Sequence, residues 1–212
     1  MDLSDEALIE SFRQTKDPTL FKSLIRRYQN RIYNAAYRVL GNAEEAEEVV
    51  QDTCVKVHQN LPKFRSQSSF AAWLFAIVHN NCLDIMRTKL RRQSGFRFLQ
   101  FDPQSTAESE GEVDSQVVSQ AADASPNPAE MLDMEEQGTV IAESLRQLPA
   151  NQRVVVVLHD IEGFSYQEIA QIVGASLGTV RSRLHYGRLR LKEILEPYFA
   201  ARNHNTPAPT PR

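Results

Sequence analysis

Three observations predict an all-α fold, built as two helical domains joined by a flexible acidic linker. Apolar residues recur at helical spacing in both halves of the chain, no stretch of respectable length alternates apolar with polar, and cap signals punctuate the periodic segments. Composition agrees: 212 residues, 42% of them hydrophobic, are enough for real cores. Two Cys residues cannot make a disulfide framework, which favours a reducing compartment. No segment suits a membrane span, and the acidic start Met1 to Glu6 lacks the basic, apolar character of a signal peptide, so cytoplasmic residence is expected.

Charge is distributed unevenly. Residues 1–92 carry 14 basic and 11 acidic side chains, 93–138 carry 1 and 10, and 139–212 carry 9 and 6. Two mildly basic ends around an acidic middle often accompany nucleic-acid contact.

Ser4, followed by Asp5 and Glu6, starts a first short helix, to about Gln14. Asp17-Pro18 restarts the chain, and Leu20, Leu24, Tyr28, Ile32, Ala35 and Val39 keep helical spacing until Gly41. Asn42 caps a third helix that ends before Pro62, with Ala46, Val49, Val50, Thr53 and Val57 on one face and Glu44, Glu48, Gln51, Asp52 and Val55 on the other. A polar loop at 63–69 precedes a helix from about Phe70 to Arg91, which ends in the basic cluster Arg87, Lys89, Arg91 and Arg92. From Ser94 to Asn127 the composition is that of a segment unable to offset its ordering entropy. Helical signals return at Asn127-Pro128 and resume after Pro149. Val154 to Leu158 would locally suit a strand, but a lone strand between helices has no partner, so a helix is expected. The domain boundaries are thus expected at 1–92, 93–128 for the linker, 129–198, and a disordered tail at 199–212.

Residues 163–196 carry the strongest functional signal. Ser165 to Glu168 is a capping box, Gly174 ends that short helix, and Ser176 caps the next after three residues, which makes a helix-turn-helix. Leu177, Val180, Leu184, Gly187 and Leu191 form its inward stripe, leaving Gly178, Arg181, Ser182 and His185 free to enter a major groove. Gly178 and Thr179 allow backbone N–H groups to approach a phosphate. Arg181 suits guanine, while Arg183, Arg188 and Arg190 suit flanking phosphates.

Three stretches, Leu148 to Arg153, Glu162 to Ala170 and Gly178 to His185, closely resemble region 4 of bacterial sigma factors of the extracytoplasmic-function (ECF) group. Glu45 to Asp52 and Ser68 to Leu74 resemble region 2 of the same family, in the right order and spacing. The resemblance implies a non-enzymatic transcription initiation factor that binds core RNA polymerase, reads the minus-35 element with region 4 and melts the minus-10 element with region 2. It places Glu48, Gln51, Asp52 and Val55 against the clamp helices of the largest polymerase subunit. It places Arg65, Ser68, Ser69, Phe70 and Asn80 at a pocket for a flipped non-template base, with Arg87, Lys89, Arg91 and Arg92 on nearby phosphates. Trp73 is either an apolar wall of that pocket or a core residue. The linker either imitates a transcript in the polymerase's RNA channel or serves as a spacer. An anti-sigma factor is a further partner that the resemblance allows, and no cofactor is expected. Tyr186 stands where the family commonly has a basic residue, and Val154 to Leu158 is more β-branched than usual.

Two other classes compete. One is a helix-turn-helix regulator with a helical sensor domain, against which the first half offers neither a strand-ending Asp nor sensor-like pocket residues. The other is a zinc site at Cys54-x3-His58 and His79-x2-Cys82, whose local spacing roughly suits ligands on two helices.

Overall fold

The computed structural model describes residues 3–65, 68–93 and 138–204, and every regular element among them is helical. The linker proper, Ser66, Gln67, the expected helix start near 127 and the segment 205–212 lie outside the described residues.

Four helices form the first half: α1 (Asp5–Thr15), α2 (Pro18–Leu40), α3 (Ala43–Asn60) and α4 (Phe70–Gln93), with one 3₁₀ turn at Leu61–Lys63. Their boundaries follow local chemistry. Ser4 Oγ accepts from Ala7 N at 3.3 Å, Asp17 Oδ1 from Thr19 N at 2.8 Å and Asn42 Oδ1 from Glu45 N at 2.9 Å. The N–H and the hydroxyl of Thr19, both donating to Asp17 Oδ1, hold the Asp17 carboxyl below its ordinary range. Ser69 Oγ caps α4 by accepting from Ala72 N at 3.2 Å. Gly41 ends α2 at φ +73°, and a Cβ there would lie 2.4 Å from Arg146 Cδ. Leu24, Ile32, Val49, Val57, Leu74 and Phe75 are nearly inaccessible, at the centre of the bundle.

The second half comprises α5 (residues 138–146), α6 (Ala150–Val156) running into a π-helical turn at Val157–Ile161, α7 (Tyr166–Val173) and α8 (Leu177–His204). The β-branched run is helical, as expected. Val154, Val155, Val156, Val157 and Leu158 are each at most 5% exposed, so the element is enclosed on all sides, and apolarity without amphipathic spacing suits it. The π turn closes with Glu162 N donating to Val157 O at 3.0 Å, before Gly163 at φ +76° redirects the chain. At the far end α8 continues to His204, beyond position 199 where the tail was expected to begin. Ala200 and Ala201 are strong helix formers.

The two halves share one core rather than standing apart. Phe75 of α4 meets Phe164 edge to face at 5.0 Å, and α4 packs along α7. Arg153 donates to Val39 O at 2.5 Å and to Leu148 O at 2.9 Å, which ties the start of the second half to the end of α2.

Candidate nucleic-acid and polymerase interfaces

The turn between α7 and α8 is built as its residue types demand. Ser165 Oγ accepts from Glu168 N at 3.3 Å while Glu168 Oε2 accepts from Ser165 N at 3.0 Å. Gly174 takes φ +64°, and Ser176 Oγ accepts from Thr179 N at 3.1 Å. Along α8, Val180, Leu184 and Gly187 face the core and Leu191 is partly covered. Leu177 does not join that stripe; it is 40% exposed, because the cap at Ser176 puts it in the first turn, beyond the packed surface. Gly187 lets α8 cross α6 closely, since a Cβ there would lie 2.8 Å from Val156 Cγ2.

Gly178, Arg181 and His185 are exposed and Ser182 is half-buried, and Tyr186 meets His185 edge to face at 5.3 Å. Thr179 Oγ1 is 2.9 Å from Ser176 Oγ, so its hydroxyl takes part in the cap. Two arginines are already engaged. Arg188 pairs with Asp160, its Nε at 3.1 Å from Oδ2. Arg183 is partly desolvated, which lowers its pKa, and its charge acts on His79 of α4.

The first half carries an open cleft of about 510 Å³, a volume in the range of small-ligand sites. Its polar lining comes from Lys56, Asn60, Lys63, Arg65, Ser68 and Asn80, and its apolar lining from Phe64, Trp73 and Ile77. Arg65, Ser68 and Asn80 therefore meet there, on elements separated in sequence. Trp73 belongs to both worlds: it packs on Phe64 at 5.0 Å and Phe70 at 5.7 Å, and it also faces the cleft. Phe70 itself is 3% exposed, packed against Tyr28, and does not line the cleft. Ser69, besides its cap, donates to Glu168 Oε1 of α7 at 3.1 Å.

Sequence reasoning missed Lys56. Its ammonium donates to Asn81 Oδ1, and Asn81 Nδ2 donates to the buried Thr53 Oγ1 at 3.0 Å, a network that aims a cation at the cleft. The signal was present as a polar Thr53 on an apolar face, whose hydroxyl needs a partner. Of the basic residues closing α4, Lys89 pairs with Glu45 at 2.7 Å and Arg87 with Asp84 at 3.3 Å, whereas Arg91 and Arg92 are exposed.

On α3, Glu48, Gln51, Asp52 and Val55 form one exposed stripe at helical spacing, with Val55 55% exposed. The zinc reading finds no support in the packing. The His58 ring lies edge-on to Phe21 at 5.0 Å, His79 faces the second half, and among the described residues no three potential metal ligands converge. Burial pushes the Cys82 thiol up to about 12, so it behaves as a small apolar residue.

A helix-turn-helix and a cleft with both hydrogen-bonding and aromatic walls, carried on one all-helical chain, define a two-part DNA-binding protein. Residues 24–93 match the family described as Sigma-70 region 2, and residues 139–191 match Sigma-70, region 4. The RNA polymerase sigma-H factor of Pseudomonas aeruginosa is 30% identical over 91% of this chain and 94% of its own length. The ECF RNA polymerase sigma factor SigW of Bacillus subtilis is 30% identical over 84% of this chain and 90% of its own. The chain spans 60% of the length of another relative, ECF sigma factor SigE of Mycolicibacterium smegmatis, at 33% identity over 81% of this chain. Among solved structures, the sigma factor RpoE of Bartonella quintana, in complex with the anti-sigma factor NepR, superposes with a TM-score of 0.58 at 27% identity, over 83% of this chain and 96% of that one. The chain belongs to the ECF group of the sigma-70 family, and is a transcription initiation factor rather than an enzyme. The alternative of a regulator with a helical sensor domain is not favoured, because the first half is itself a sigma region. No described helix is long and apolar enough to cross a membrane.

Proposed function

We propose that this chain binds core RNA polymerase and divides promoter reading between its halves, with residues 1–92 on polymerase and the minus-10 element and 129–198 on the minus-35 element. The cleft carries the reading. Extruding a base costs a few kcal/mol, so a melting protein must offer donors and acceptors for the base's edge and an apolar face for its ring. Asn80, Ser68, Arg65 and Lys56 serve the edge; Trp73 and Phe64 serve the face. Ser69 and Phe70 act one layer back, Ser69 as cap of α4 and Phe70 as support for Trp73. Arg87, Lys89, Arg91 and Arg92 hold the strand's phosphates.

In the second half Gly178, Thr179, Arg181, Ser182 and His185 meet the minus-35 duplex. Arg181 reads a base edge, and Arg183 and Arg188 hold phosphates once released from their present neighbours. Glu48, Gln51, Asp52 and Val55 dock on the clamp helices of the largest polymerase subunit. The setting is the cytoplasm, and an anti-sigma factor is a partner by analogy with the Bartonella complex.

The test is open-complex formation by the holoenzyme, read as permanganate reactivity of unpaired thymines. Asn80→Ala should abolish reactivity at minus-10 while leaving core binding and minus-35 recognition intact. Normal reactivity would remove Asn80 from the pocket.

A further inference from the structure

Down the outward face of α8 the chemistry changes from one turn to the next. At about 100° per residue, Gly178, Ser182, His185 and Leu189 lie along the line opposite the buried Val180 and Leu184, with Arg181 to one side and Tyr186 to the other. Arg181, near the start of the helix, brings a charge. The turn after it brings apolar surface: Tyr186 and Leu189 are each 48% exposed, and the exposed His185 ring lies beside both. His185 and Tyr186 meet edge to face at 5.3 Å with their planes 73° apart, a contact that favours one orientation of the two rings before DNA arrives. Arg188, in the same stretch of α8, is turned aside to Asp160. Past Leu189 the outward line becomes acidic, with Glu193 and Glu196 both exposed, and phosphates repel such a surface. Base reading by α8 therefore ends at the patch formed by His185, Tyr186 and Leu189.

An aromatic patch gains from leaving water only where it meets an apolar group, and the major groove of unmodified DNA displays one, the C5 methyl of thymine. Tyr186 stands five positions beyond Arg181, about 7.5 Å along the helix, which corresponds to about two base pairs at about 3.4 Å each.

We propose that Tyr186, oriented by His185 and flanked by Leu189, is a specificity-determining residue: its ring packs on a thymine methyl about two base pairs from the base that Arg181 reads, and the preferred minus-35 element carries thymine there. The proposal rests on the reading of α8 as the minus-35 binder. It adds a preference that Arg181 cannot supply, because a guanidinium pairs with the O6 and N7 acceptors of guanine and gains nothing from a methyl group.

The experiment uses holoenzyme assembled from core RNA polymerase and the full chain. A pool of duplexes randomised over the minus-35 region, each joined to the same pre-melted minus-10 segment, is selected for binding and sequenced. The wild type should enrich guanine at a position whose preference Arg181→Ala removes, and thymine about two base pairs away at a position whose preference Tyr186→Ala removes. Replacing that thymine by deoxyuridine deletes only the methyl. It should weaken wild-type binding about fourfold, the worth of one buried methyl group, and leave binding by Tyr186→Ala unchanged. This ratio compares two DNAs on the same protein, so loss of folded protein cannot imitate it. Tyr186→Phe should keep the ratio, since the ring and not its hydroxyl makes the contact, and Tyr186→Arg should turn the thymine preference to guanine. Equal wild-type affinity for thymine and deoxyuridine, a ratio that survives in Tyr186→Ala, or a ratio lost in Tyr186→Phe would overturn the proposal. A guanine preference without the thymine one faults the role of Tyr186 alone, whereas no enriched position at all faults the assignment of α8 to the minus-35 element.

Discussion

Asp160 makes a test of how α8 holds DNA. Its carboxylate takes two nitrogens of Arg188, so the cation proposed to grip a phosphate is largely neutralised before DNA arrives. The side chains are 45% exposed for Arg188 and 30% for Asp160, and a pair this open contributes only about 0–1 kcal/mol to folding. Asp160→Asn should therefore leave the fold intact while freeing one cation. Each phosphate neutralised steepens the plot of log affinity against log salt by about 0.9, so between about 50 and 200 mM salt the variant should lose about 3.5-fold more affinity than the wild type. At the lower salt it should bind tighter. Arg188→Ala in the wild-type background should change the slope by well under about 0.9, but by the full amount in the Asp160→Asn background. Anisotropy titrations with a minus-35 duplex at four salt concentrations measure all four slopes. If Arg188→Ala alone flattens the slope by a full unit and Asp160→Asn changes nothing, Asp160 does not restrain Arg188 and the reasoning fails.

Reversing Glu48 and Asp52 to Lys should weaken capture by a clamp-helix fragment and leave helicity unchanged, because both are exposed and charge there governs docking rather than folding. Undiminished capture would take them out of the interface. Gly187→Ala should lower the melting temperature, since overpacking against Val156 Cγ2 costs about 1–3 kcal/mol and outweighs the roughly 1 kcal/mol of helix propensity gained. A rise would show that α6 yields freely. Burial, with Arg183 and Arg87 nearby, lowers the His79 pKa from 6.5 to about 4. The unfolded chain thus binds that proton more readily, so this group's effect is absent above pH 6.5 and destabilises increasingly as pH falls towards 4, by up to about 1.4 kcal/mol per pH unit. His79→Gln should reduce the wild type's loss of thermal stability between pH 7 and 5; identical curves would refute the linkage.

Wherever the governing interaction spans only a few residues, the sequence was legible. Ser4, Asp17, Asn42, Ser165 and Ser176 all cap through side-chain bonds within three residues, so helix starts could be read from residue type. Val154 to Leu158 was harder, because β-branching favours a strand locally; it is helical because neighbours surround it on every side. Leu177 was misplaced for the same kind of reason. Periodicity says which face a residue is on but not how far the packed surface extends, so Leu177 ends up exposed.

What the sequence determined by itself is the set of helices, the helix-turn-helix and the family, since caps, period and motif are local properties of the chain. Tertiary structure alone decided which charges are free. Arg188 and Arg183 look equivalent to Arg181 in sequence, yet Asp160 holds one and the first half partly buries another. Lys56 looks like any surface lysine until Thr53 and Asn81 aim it at the cleft. The hydrogen bond from Arg31 Nε to Glu162 Oε2, at 3.0 Å, joins residues 131 positions apart. Electrostatic and packing energies depend on distance in space, and that distance exists only once the helices have met.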